Sequence, residues 1–111
     1  MEQLINEQPM YVLPTLAEKF GVDEALMLQI LHTKISEHGI FMDEYTWISQ
    51  TYTEWEKQII FWNLNKIKRT LLKLEEYGVV ASTDEYNESK MDRTKWYAID
   101  YPLLKMLLGM V

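Results

Sequence analysis

The sequence predicts a mainly α domain with a small β-hairpin, and three observations predict it. Leu64, Ile67, Leu71 and Leu74 recur at helical spacing and stop before Gly78, which reads as one amphipathic helix over 63–77. Just before it, Glu54 to Ile59 reads as a short helix and Phe61-Trp62-Asn63 as a tight corner, so two helices meet at a turn. Just after it, Val79-Val80-Ala81 and Arg93 to Asp100 read as strands joined by the polar loop Asp84 to Asp92. Together these make a winged helix-turn-helix, with a recognition helix at 63–77, a wing at 79–100 and a closing helix at 102–109. All 111 residues fit one such domain.

Taken in order, Met10 to Leu13 is a short apolar run between Pro9 and Pro14 and reads as a small edge strand. Pro14 suits the first turn of a brief helix that buries Leu16, Ala17 and Phe20 and ends at Gly21. Asp23 is the expected cap of a second helix closed by His38-Gly39, whose apolar residues cover more than one stripe and mark it as central. Phe41 to Ser49 combines a charged turn, Asp43-Glu44, with the strand-favouring run Tyr45-Thr46-Trp47-Ile48. Thr53 then precedes Glu54-Trp55-Glu56, an acidic first turn, and Asn63 caps the long helix. The last helix, opened by Tyr101-Pro102, is apolar nearly all round, which predicts that it is buried in this domain, against a second copy or against a downstream domain.

Composition narrows the function. Without cysteine there is neither a disulfide framework nor a thiolate zinc site, as suits a reducing cytoplasm. The opening MEQLINEQPM is not a secretory signal, and no run approaches a membrane span, so a soluble, intracellular protein with no membrane partner is expected. The two histidines lack a metal-ligand spacing, and the acidic pairs Asp23-Glu24, Asp43-Glu44 and Glu75-Glu76 are neighbours that do not face each other. With four glycines and no phosphate-binding loop, neither an enzyme nor a cofactor is expected.

Charge is the informative feature. The net charge of −6 opposes bulk coating of nucleic acid, yet residues 1–62 carry −7 and residues 63–111 carry +1. From Asn63 to Lys73 there are four cations and no acid. A helical turn count sets Asn65, Lys66, Arg69 and Lys73 opposite the leucine stripe. In a helix-turn-helix such a face enters the major groove of double-stranded DNA. Asn65, Lys66 and Arg69 are then candidates for base edges, and Lys68 and Lys73 for phosphate. The competing reading is a solvated face whose cations pair with carboxylates. The wing loop carries −3, so only Lys90, Arg93 and Lys95 can serve DNA from there. The tryptophans read as core, except Trp62, which the turn count sets near the outward face.

Three stretches, PTLAEKFGVDEALMLQIL, TWISQTYTEWEKQIIFWNLNKIKRTLLKLEEYGVV and KMDRTKWYAIDY, together resemble the amino-terminal winged-helix domain of DnaD-like phage and plasmid replication proteins of Gram-positive bacteria. The resemblance spans about residues 10–104 and is most specific in the aromatic corner, the basic helix and the Arg-Thr-Lys-Trp-Tyr run. It implies DNA binding or self-association in replication, with a primosome-assembling helical domain often following. The alternative is an acidic protein-interaction module with no direct DNA binding: a homodimer through the final helix, a binder of a host or phage replication protein, or an inhibitor of a host DNA-handling protein.

Overall fold

The computed structural model describes residues 9–110; the polar opening segment, residues 1–8, lies outside them. Five helices and four strands follow in the order α1 (Pro14–Phe20), α2 (Val22–His38), β1 (Ile40–Met42), β2 (Tyr45–Gln50), α3 (Tyr52–Gln58), α4 (Leu64–Tyr77), β3 (Val80–Thr83), β4 (Lys95–Ile99) and α5 (Tyr101–Leu107). The sheet is antiparallel in the order β1-β2-β4-β3. The domain is therefore α+β, with more sheet than the single hairpin expected. The strand-favouring run Tyr45 to Ile48 is β2, but its pairing escapes a local reading because the partner lies far along the chain, Trp47 opposite Ala98 and Gln50 opposite Lys95. Strand β1, with three residues, is too short to show an alternating pattern. Asp43 and Glu44, both at positive φ, form the two-residue turn between β1 and β2.

Four local expectations change. Met10 to Leu13 is not a strand; the Gln29 side chain holds this segment instead, accepting from the Leu13 N–H at 2.8 Å and donating to the Tyr11 carbonyl at 2.7 Å. The cap of α2 is Gly21, not Asp23. Its N–H closes α1 on Ala17 and its carbonyl opens α2 on Ala25, so one residue serves both helices. Its φ of 108° and ψ of 157° lie in a region open to glycine alone. Helix α3 starts at Thr51, which forms a reciprocal capping box with Glu54, rather than at Thr53. Both threonines stand three residues before a glutamate, so the pattern alone does not choose. Finally, α5 has no fully buried residue. Leu103, Leu104, Leu107 and Leu108 rest on the core, while Met106 and Met110 stay exposed.

The core joins Met27, Leu28 and Leu31 of α2, Ile67, Leu71 and Leu74 of α4, Trp55 of α3 and Ile48, Tyr97 and Ile99 of the sheet. Helix α4 starts on the Asn63 side chain, which accepts the Lys66 N–H, and stops at Gly78 in the left-handed conformation. Side chains alternate along a strand, so Ile48, Tyr97 and Val80 face the helices and Trp47 and Trp96 face away. Tyr86, from the loop between β3 and β4, stacks on that second face, 5.5 Å from Trp47 and 5.9 Å from Trp96. Its hydroxyl donates to the Asp43 carboxylate, which together with burial raises the phenol pKa to about 12. Asn87 accepts from Trp96 Nε1 at 2.9 Å and donates to the Thr94 carbonyl at 2.6 Å. The acidic loop is thus anchored to the face of the sheet that points away from α4. Among the described residues no helix is long and apolar enough to cross a membrane.

Candidate nucleic-acid interface

Burial sets the outward crest of α4 as Asn65, Lys68, Arg69, Leu72 and Glu76, all exposed. The two flanks beside that crest differ. On the side of α2, Lys66 Nζ lies 3.3 Å from Asp23 and 5.1 Å from the centre of the Trp62 ring. Lys73 Nζ lies 2.8 Å from Glu24, whose side chain is 11 % exposed. That hydrogen bond, followed by the attraction between the two charges, raises the Lys73 pKa above its ordinary value. Asp23 and Glu24 occupy the first turn of α2, where their charge also suits the helix dipole. Two of the three cations that the turn count sets outward, Lys66 and Lys73, thus have carboxylate partners.

On the other flank the arrangement is open. Lys68 Nζ sits 4.9 Å from the Tyr52 ring centre, and Lys95 Nζ, from the start of β4, sits 5.8 Å from the same ring. Lys95 stands opposite Gln50 and so lies on the helix side of the sheet. Among the described residues neither lysine, nor Arg69, takes part in an ion pair. One aromatic ring therefore gathers two cations from distant parts of the chain, and cation–π attraction holds them without cancelling their charge.

The eight candidates divide accordingly. Asn65, Lys68 and Arg69 are exposed on α4, and half-buried Lys95 meets Lys68 at the Tyr52 ring. Lys66 and Lys73 are engaged by α2. Lys90 and Arg93 are exposed on the loop that Tyr86 and Asn87 fasten to the far side of the sheet, beside Asp92. Hydrogen bonds from the Thr94 side chain and backbone hold the Asp92 pKa below the usual carboxylate value, so that loop keeps its negative charge.

Trp62 is 8 % exposed, not outward. It precedes the cap of α4, so the angular step of a helix does not apply to it. Sequence reasoning missed Tyr52 and the pairing role of Asp23 and Glu24. No spacing in the chain signals either, because the partners come from different elements.

A second feature is apolar. A groove of about 980 Å³ is lined by Met10 and Tyr11, by Leu26 and Ile30 of α2, and by Ile60 and Phe61 at the corner between α3 and α4. Tyr11, Ile60 and Phe61 are 76 %, 83 % and 60 % exposed there.

No family model, curated protein or solved structure matches this chain.

Proposed function

We propose that the chain is a duplex-DNA-binding module of winged helix-turn-helix type, acting in phage or plasmid replication or its control. The order α2-β2-α3-α4-β3-β4, with β2 paired to β4 and the hairpin following α4, supports the fold assignment. The replication setting rests on the resemblance of the three sequence stretches. The observation that carries the DNA reading is the open flank: Lys68 and Lys95 over Tyr52, beside exposed Arg69 and Asn65. Such a surface offers Arg69 and Asn65 to base edges and two lysines to the flanking phosphates.

The test is fluorescence anisotropy with a mixed-sequence duplex at two salt concentrations. The variant Lys68→Ala/Arg69→Ala/Lys95→Ala is expected to bind at least ~10-fold more weakly, with a salt slope smaller by roughly three ions. Its circular dichroism and melting temperature should match the wild type, because all three side chains lie outside the core. Unchanged binding would remove the open flank from the account.

The exposed groove favours a second reading, a protein-interaction module. In that case Phe61→Asp disrupts partner or self-association, Lys68→Ala leaves it intact, and the wild type shows no DNA affinity for either variant to change. Sedimentation velocity of both variants separates the two readings.

A further inference from the structure

We propose that Asp23 sets the general DNA affinity of α4: it occupies Lys66 and so withholds one cation from the phosphate backbone. This rests on the DNA reading of α4. The two ion pairs across the α2–α4 contact are built differently, and the difference assigns the roles. Glu24 is 11 % exposed at its side chain, and its Oε2 lies 2.8 Å from where a Cβ on Gly21 would stand. That carboxylate lies against Gly21 and is the less exposed of the two acids, so its pair with Lys73 exchanges less readily with solvent or ligand. Asp23 and Lys66 are instead 42 % and 34 % exposed, 3.3 Å apart. A pair of that kind is weak and reversible.

Lys66 also lies in the first turn of α4, next to Asn65 and one position round from Arg69, where a recognition helix enters the groove. A phosphate that reaches Lys66 must compete with Asp23. While Asp23 holds Lys66, the complex has one cation fewer against the backbone. The acid thus lowers sequence-independent affinity while the base-reading residues are untouched. A chain with a net charge of −6 gains from this, since few cations are left to set its background binding.

The experiment compares wild type, Asp23→Asn, Lys66→Ala and the double variant by anisotropy across a salt series, on two duplexes of unrelated sequence. Asp23→Ser serves as a second, smaller uncharged control for folding, with melting temperature recorded for each. Asp23→Asn is expected to tighten binding roughly two- to fivefold, the range set by an exposed pair, by the same factor on both duplexes. The salt slope should steepen by about one ion, and Lys66→Ala in the same chain should erase both changes. Binding by the wild type that Asp23→Asn and Asp23→Ser leave unchanged or weaken overturns the role of Asp23 and spares the DNA reading. A gain that persists without Lys66 also overturns it, because the effect would then be bulk charge. A wild type that binds neither duplex at low salt overturns both proposals.

Discussion

Each flank of α4 gathers two lysines, and the two pairs are in opposite states. Lys66 and Lys73 lean on Asp23 and Glu24 of α2; Lys68 leans on the ring of Tyr52 and shares it with Lys95. In the first pairing the cation's charge is cancelled, and in the second it is held in place and kept. A lysine count along a helix therefore says little about its field. What decides it is the neighbour: an acid spends the charge on joining two helices, and an aromatic ring leaves it available to a phosphate.

The change that should separate the flanks most is Gly21→Ala. It places a Cβ at φ 108° and 2.8 Å from Glu24 Oε2, under the paired flank. The expected loss of stability is on the order of 2 kcal/mol from the backbone conformation, read from chemical denaturation with no change in slope. DNA affinity of the folded fraction should not move. A loss of affinity without a loss of stability would mean the two flanks are not independent.

Next in size is Lys68→Met, which keeps contact with Tyr52 and deletes the charge. Stability should be unchanged within about 0.5 kcal/mol, as for other surface substitutions. Affinity for duplex DNA should fall roughly fivefold, with the salt slope smaller by about one ion. Titration of DNA at two salt concentrations, set beside a melting curve, reads both halves of that statement.

The contrast between flanks also marks the limit of what the sequence discloses. The elements of α4 are legible because each is local: the cap at Asn63, the apolar stripe and the stop at Gly78 all lie within one window. The hairpin β3-β4 is legible for the same reason, and so is the closing cap at Gly39. The partners of Lys66 and Lys73 are more than forty residues upstream, and nothing in an Asp-Glu dipeptide says which helix will cross it. The same holds for β2, whose pairing with β4 turns one hairpin into a four-stranded sheet. The apolar final helix was legible as apolar, but its depth depends on how much surface the rest of the domain offers, and it receives one side only. The resemblance-based setting in replication is of another kind, since it comes from whole stretches rather than from any contact.

A smaller effect belongs to Lys73→Met on the paired flank. The folded pKa of Lys73 is raised above 10.5, mainly by its hydrogen bond to Glu24. A raised basic pKa means that the pair contributes fully below the unfolded value and is lost as pH rises through the folded one. Wild type should therefore be more stable than Lys73→Met at neutral pH, and the gap should begin to close above about 10.5. Denaturant midpoints taken from pH 7 upward test it, and affinity for DNA should be the same in both proteins.

The smallest effect concerns the anchored loop, which bears on the open flank by staying away from it. Tyr86 holds Asp84, Glu85 and their neighbours over Trp47 and Trp96, on the side of the sheet opposite Tyr97. Phenylalanine keeps the stacking and loses only the hydroxyl bond to Asp43. The phenol pKa is raised from 10.0 to about 12, first by that bond, so its contribution is complete below pH 10 and disappears as pH climbs towards 12. Tyr86→Phe should therefore melt slightly below wild type at pH 7 and approach it between those two values. If the loop's acids then sample positions nearer α4, the variant should also bind duplex DNA a little more weakly at low salt and equally at high salt, where screening removes the repulsion. Equal affinity at every salt concentration would show that stacking on the two tryptophans holds the loop in place without the hydroxyl bond, and that the open flank owes nothing to Asp43.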